Sequence, residues 1–379
     1  MHITRASLMA WQFLLPLINE QKKNGHYVCI CGAEDKYVSI LRSRGIDVFI
    51  HKLKRSLNLY SILKAIFMIR QHIKNNRINV VICHTPLGSG VGRIAAKISG
   101  AHHIIYFAHG LPCSPAQNKF IWLFWFSIEK MLGKITDAII LMNDYDEKIC
   151  KQYHFIKDIK NIFRISGMGV DLKKFNNQIE NNHYRSIKEE LGIKGEKKTV
   201  ICIAYIVKEK GVFEYLEAAR QICEKRHDVC FLLAGFGPSI KKLKMLSRRF
   251  KLEENLKILG WRDDINFLLK FSDIFVLPSY YFEGLPVSIL EAMACCKPVI
   301  TTKHRGCEDA VVDGVTGYLV PIRNPKKLAE KIIILLNDDQ KRIYMGRAGR
   351  KIAERNYDIE KCSKLIIDKI ETAINRREC

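Results

Sequence analysis

The chain has 379 residues, 48% hydrophobic and 27% charged, which excludes a disordered chain and leaves room for two domains of roughly 100–200 residues each. Its 62 Lys and Arg against 39 Asp and Glu give a formal net charge of +23, directing attention to anionic partners: nucleotides, nucleic acid or an acidic membrane surface. With no secretory leader and no run of 18 apolar residues, it is expected to stay in the cytosol without crossing a membrane, although it can lie on one.

Short apolar, β-branched runs alternate with helical patterns along the chain. The first series of predicted strands is "YVCIC" (27–31), "DVFI" (47–50), "NVVIC" (79–83), "HIIYF" (103–107), "DAIIL" (137–141) and "NIFRI" (161–165). Before them, "MHITR" reads as a shortened first strand, and a few preceding residues are expected to be missing. After the polar joint "NNQIENNHY" (176–184) a second series follows: "TVICIA" (199–204), "VCFLLAG" (229–235), "LKILG" (256–260), "DIFVLP" (273–278) and "PVITT" (298–302). Strands alternating with helices imply parallel sheets covered on both faces. The expected class is therefore α/β, with Rossmann-like domains at 1–175 and 176–355 and a C-terminal helix at 356–379 packing back on the first. Such sheets bind ligands at the carboxyl ends of their strands, and two facing ones would hold a ligand in the cleft between them.

Charge is uneven. Residues 51–134 carry twelve Lys or Arg and one acid, Glu129. Two segments there, 53–77 and the aromatic-rich "NKFIWLFWFSIEKMLGK" (118–134), mix apolar and basic residues in helical patterns and read as interfacial elements for anionic lipid. The alternatives are a solvated basic face and a core role for the aromatics. Thirteen cysteines, an odd number with Cys29, Cys31, Cys83, Cys202 and Cys230 in strand-like runs, read as buried free thiols, and no zinc-site spacing is present.

The most informative stretch is "FEGLPVSILEAMACCKPVI" (282–300). Glu291 is the sole charge between Glu283 and Lys297, and burying a lone carboxylate is costly without hydrogen bonds. Gly284 permits close backbone approach, Pro286 suits a first helical position, and the free amides of that helix start form an anion site. Glu291, about two turns in and facing inward with Leu290 and Met293, would be satisfied by a vicinal diol such as a ribose. Glu283 could hold another hydroxylated ring. Ordinary roles, a solvated Glu283 and a Glu291 bonded to a backbone amide, are the alternative.

Several segments together resemble glycosyltransferase family 4, retaining nucleotide-sugar-dependent enzymes of the GT-B fold, in its bacterial surface-polysaccharide branch. They are "VLPSYYFEGLPVSILEAMACCKPVI", "RGCEDAVVDGVTGYLVP", "AYIVKEKGVFEYLEAA", "LAGFGP", "LGWRDDI" and "GMGVDLKKF", joined in the first half by "HTPLGSGVGRIAAKISG", "IIYFAHGLP" and "IEKMLGKITDAIILMNDYD". The resemblance implies that Glu291 binds the nucleotide ribose and Glu283 the donor sugar. Gly284, Leu285, Pro286 and Val287 would line sugar and phosphate, and Lys210 would neutralise the diphosphate. His109 would stand beside the sugar, with His84 as a possible substrate contact. Trp261 and Arg262 would lie against the base. The family's arginine partner to Lys210 is replaced by Tyr205, which brings no charge. Also implied are metal-independent front-face chemistry and transfer of a hexose or N-acetylhexosamine, from a UDP-linked donor, to a polyprenyl-diphosphate-linked saccharide at the inner face of the cytoplasmic membrane. The alternatives are a nucleotide-sugar epimerase or other enzyme of the same fold, such as a phosphorylase, and a basic nucleic-acid binder, for which no RNA- or DNA-binding motif is found.

Overall fold

A computed structural model describes residues 1–51, 53, 58–176 and 180–378. The basic residues Lys52, Lys54 and Arg55 and positions 177–179 of the polar joint lie outside the described residues. The chain forms two compact units, Met1–Met168 with Ile359–Cys379, and Gly169–Asp358.

The first unit is built on β1 (His2–Ile3), β2 (Cys29–Gly32), β3 (Asp47–Ile50), β4 (Val80–His84), β5 (His103–Phe107), β6 (Ala138–Leu141) and β7 (Ile162–Arg164). They form one parallel sheet in the order β3-β2-β1-β4-β5-β6-β7. Although β1 has only two residues, it is central, pairing with both β2 and β4. Its neighbour β4 and the next strand, β5, are almost wholly buried, as continuous apolar runs in a doubly covered sheet require. Helix Ile359–Glu378 belongs to this unit and packs on helix Leu15–Lys23, burying Ile366, Ile367, Ile370 and Ala373.

Helix Lys119–Gly133 is amphipathic in an unusual sense, because both faces carry large apolar residues. Trp122, Trp125 and Phe126 pack on the core, while Phe120, Leu123, Phe124 and Met131 stand exposed. A buried ion pair anchors it: Arg93 Nη2 donates to Glu129 Oε2 at 2.6 Å, and the guanidinium lies 4.2 Å from the Tyr106 ring centroid. Arg93 and Glu129 are therefore removed from the surface together, which leaves the basic excess of this segment unchanged. Gly133 allows the helix end to meet the backbone of Phe155, whose carbonyl oxygen would lie 1.8 Å from any Cβ there.

The second unit contains β8 (Lys198–Ile203), β9 (Val229–Ala234), β10 (Leu256–Gly260), β11 (Ile274–Leu277), β12 (Val299–Thr302) and β13 (Gly317–Val320). Its parallel order is β10-β9-β8-β11-β12-β13. The edge strand β13 was absent from the sequence reading, because "GVTGYLV" carries turn residues at its start. Gly317 is required there, since a Cβ would sit 1.7 Å from the Val299 carbonyl oxygen. In both sheets the strand order reverses beside the first strand, at β1/β4 and at β8/β11, which is where such sheets bind ligands.

The twelve described cysteines are all free, eleven of them buried and Cys296 partly exposed. Among the described residues, no helix is long and apolar enough to cross a membrane.

Candidate active site

In the second unit, the turns after β8 and β11 are neighbours because the strands are. The first turn closes with the 3-10 segment Lys208–Lys210 and Gly211 at φ +73°, where a Cβ would clash with the Pro278 carbonyl oxygen at 2.0 Å. This glycine-dependent approach brings Lys210 to Glu283: Nζ donates to Oε1 at 2.5 Å, with both side chains largely buried. Ser279 Oγ donates to the same oxygen at 2.7 Å, and the Lys210 ammonium lies 5.3 Å from the Tyr281 ring centroid. Sequence reasoning named Lys210 and Glu283 separately, and missed both their pairing and the supporting Ser279 and Tyr281. Ser279, four residues before Glu283 at a strand end, was the available signal.

Helix Val287–Ala294 follows, with Pro286 as its N-cap and no side-chain cap on its first amides. Glu291 is its fifth residue, so it lies little more than one turn in, not two. It is half-buried at the margin of the core, whereas Leu290 and Met293 are fully buried. No hydrogen bond to the Glu291 carboxylate is found among the described residues. Burial pushes its carboxyl from 4.5 up to about 7, with Lys174 acting in the opposite direction. The helix is held from its far end by Arg350, which donates to the Ala294 and Phe175 carbonyls at 2.7 Å each. Helix Asp339–Asn356, which carries Arg350, approaches closely at Gly346, where a Cβ would meet the Cys296 carbonyl oxygen at 1.9 Å.

At the carboxyl ends of β8, β9 and β10 stand three partly exposed aromatics in a row. Tyr205 meets Phe236 edge-on at 5.1 Å between ring centroids, and Phe236 meets Trp261 likewise at 5.1 Å. The Tyr205 hydroxyl has no hydrogen-bond partner among the described residues. Trp261 Nε1 donates to Asp263 at 2.8 Å. Arg262, expected beside the base, is already engaged: it donates to Asp264 at 2.8 and 2.6 Å and also pairs with Glu190. Its donors are taken up by these two carboxylates. Gly284, Leu285 and Val287 lie around the start of the glutamate-bearing helix, with Gly306 packed so closely that a Cβ would meet the Gly284 carbonyl oxygen at 2.5 Å. The buried His304 and Arg305 of that same turn were not singled out in the sequence.

In the first unit, His84 ends β4 and His109 follows β5. His84 Nδ1 and His109 Nε2 are 2.9 Å apart, and the turn after His84 holds Thr85 at φ +62°, a rare conformation for a β-branched residue. Burial pushes His109 down to about 3 and His84 well below the ordinary value, so both rings are neutral at physiological pH. Among the described residues, no group of three or more His, Cys, Asp or Glu is placed to hold a metal ion.

A family model described as "Glycosyl transferases group 1" matches residues 183–352, and one described as "Glycosyl transferase 4-like" matches residues 5–143. This chain is a glycosyltransferase of the GT-B fold. The enzyme is related to family 4 enzymes of bacterial surface polysaccharides. It is 29% identical, over 91% of each chain, to the N,N'-diacetylbacillosaminyl-diphospho-undecaprenol alpha-1,3-N-acetylgalactosaminyltransferase of Campylobacter jejuni. It is 26% identical to the UDP-Gal:alpha-D-GlcNAc-diphosphoundecaprenol alpha-1,3-galactosyltransferase of Escherichia coli, over 86% of this enzyme and 84% of that one. Its fold is similar to that of Anabaena Alr3699/HepE, solved with UDP and glucose, with a TM-score of 0.83, 20% identity and 98% of each chain covered.

Proposed function

We propose that the enzyme transfers a hexose or N-acetylhexosamine, with retention, from a UDP-linked donor to a polyprenyl-diphosphate-linked saccharide in surface-polysaccharide assembly. The observation that carries this reading is Glu291: a half-buried carboxyl with no hydrogen-bond partner among the described residues, one turn into a helix whose first amides have no side-chain cap. A ribose supplies the two hydroxyl donors such a carboxylate lacks, and the uncapped amides suit the adjoining phosphate. The two relatives named above act on diphospho-undecaprenol-linked acceptors, and one takes a UDP-sugar, according to their names.

In this mechanism the leaving diphosphate accepts the proton of the incoming hydroxyl, which attacks from the side the nucleotide departs. The protein aligns the two sugars and stabilises charge on the phosphates. Lys210 supplies that charge without a metal ion. Glu283, held by Lys210 and Ser279 through one oxygen, is assigned to a sugar hydroxyl. His109 is assigned to sugar contact and Tyr205 to a single uncharged hydrogen bond; His84, read from the sequence as a substrate contact, is fully buried with both ring nitrogens bonded to His2 and His109, and acts behind His109 instead.

The exposed apolar residues of helix Lys119–Gly133, flanked by the exposed Lys119 and Lys134, form the proposed docking face for the anionic leaflet that holds the acceptor. The test of the reading is incubation with a panel of nucleotide sugars and a short polyprenyl-diphosphate-linked acceptor, followed by mass spectrometry of the lipid product. Transfer is expected from a UDP-sugar, with Glu291→Ala weakening donor binding and Lys210→Ala lowering turnover by about 100-fold, as for loss of an electrostatic stabiliser. Wild-type kinetics in both variants would sink the assignment.

A further inference from the structure

His109 does not end a pair; it ends a row. His2 lies on β1, His84 closes β4 and His109 stands two residues beyond β5, on three adjacent strands. The register sets His2 opposite Ile82 and His84 opposite Phe107, so each histidine sits two residues further along than the one before. A step of two keeps all three on one face of the sheet. Their rings meet in sequence: His2 Nδ1 to His84 Nε2 at 3.0 Å, and His84 Nδ1 to His109 Nε2 at 2.9 Å. Beyond them, His2 Nε2 lies 2.8 Å from Oε1 of Gln21, on helix Leu15–Lys23. His2, His84 and Gln21 are buried, and only His109 keeps appreciable exposure.

Burial holds all three rings neutral, with His2 and His109 down at about 3. A neutral imidazole carries one N–H and one bare nitrogen, so every bond in the row consumes one of each. Only two complete patterns exist, and the Gln21 amide chooses between them. With Oε1 toward His2, the ring donates from Nε2 and accepts at Nδ1. His84 then donates from Nε2 to His2 and accepts at Nδ1 from His109 Nε2–H. The last nitrogen, His109 Nδ1, is left bare, and no hydrogen bond to it is found among the described residues. Reversing any single ring would set two N–H groups or two lone pairs face to face in a buried site.

We propose that Gln21 and His2 are positioning residues which, acting through His84, fix the tautomer of His109 and leave its Nδ1 as a neutral acceptor for a sugar hydroxyl. The sugar-contact part rests on the proposed function; the tautomer lock does not. His109 thereby discriminates hydroxyl donors and cannot serve as a cation for the diphosphate.

Long-range proton–nitrogen NMR of the full chain with ¹⁵N-labelled histidine reads each ring's tautomer directly, without donor or turnover. The expected wild-type spectrum shows Nε2–H at His2, His84 and His109. Gln21→Met removes the amide that selects the pattern, and His109 then shows both tautomers. His51 is the internal control for folding: its Nε2 lies 2.9 Å from the Thr4 carbonyl oxygen and its Nδ1 accepts from Leu53 N–H, so backbone bonds fix it independently. If the His51 signature is lost in Gln21→Met, His2→Phe breaks the row at its next member and is read in the same way. A wild-type His109 that is Nδ1–H or mixed overturns the proposal, as does an unchanged His109 in a variant whose His51 is intact. Equal populations of the two tautomers would lower donor affinity about twofold in Gln21→Met. Normal transfer by His109→Ala, beside a tautomer that shifts in Gln21→Met, would overturn the sugar contact and leave the lock in place.

Discussion

Glu291 is the residue whose chemistry is most exposed to test. A carboxyl raised in the folded state binds its proton more tightly there than in the unfolded chain. It stabilises the free enzyme fully below about pH 4.5, and that contribution is lost as pH rises through about 7. The shift corresponds to about 3 kcal/mol at most. Glu291→Gln should therefore raise the melting temperature of the free enzyme at about pH 8 and leave it unchanged at acid pH, read by thermal denaturation. Ribose hydroxyls bonded to both oxygens favour the ionised form, so UDP binding should release close to one proton at about pH 6 and none at about pH 8. Calorimetry in buffers of different ionisation enthalpy measures this, and pH-independent proton release would exclude Glu291 as the ribose partner. Tyr205 makes a second residue-scale prediction. Its hydroxyl is unbonded among the described residues, so Tyr205→Arg should add a charge-assisted bond worth roughly 1.5–3 kcal/mol and lower the KM for donor about tenfold or more. An unchanged KM would show that position 205 does not reach the phosphates.

At the scale of elements, helix Lys119–Gly133 asks why a buried ion pair anchors a helix with apolar residues on both faces. Removing one partner of such a pair is costly, roughly 3–5 kcal/mol, because a bare charge remains inside. Glu129→Ala should therefore destabilise the first unit by that order, visible as a lowered denaturation midpoint. Phe120 and Phe124 are different: they are 82% and 56% exposed and contribute little to folding in water. Phe120→Ser with Phe124→Ser should leave the midpoint unchanged and weaken co-sedimentation with anionic vesicles about tenfold or more, from the loss of two inserted aromatic rings. Equal binding of the wild type to neutral and anionic vesicles would remove the electrostatic part of the docking proposal.

For the molecule as a whole, the chain leaves the first unit at Met168 and returns to it at Ile359. The returning helix buries Ile366, Ile367 and Ile370, each worth roughly 1.5–3 kcal/mol when taken from water. A chain ending at Asp358 should lose a large part of the first unit's stability, which for a domain totals about 5–15 kcal/mol. Differential scanning calorimetry should show its transition moved down or abolished; an unmoved transition would mean the helix is dispensable. The net charge of +23 belongs to this scale too. It acts through long-range attraction and is screened by salt, so vesicle binding should weaken between low and physiological ionic strength.

Local pattern was enough for much of this. Apolar runs between turn residues located twelve of the thirteen described strands, counting the shortened first one, and alternation with helices implied parallel sheets. The lone charge in "GLPVSILEAMA" marked Glu291, because a carboxylate among apolar residues needs a partner whatever the fold. Pairings across the sheets were not legible, since they depend on strand order and not on spacing along the chain. Lys210 meets Glu283 only because β8 lies beside β11, and His2 reaches His109 only because β1, β4 and β5 are neighbours. The same holds for Arg93 and Arg262. Arg93 reads as a surface charge in one dimension and is spent on Glu129, 36 residues away; Arg262, expected beside the base, is shared between its neighbour Asp264 and Glu190, 72 residues away. Composition and periodicity determined what kind of sheets this chain forms; tertiary packing decided which of its charges and rings remain available to a ligand.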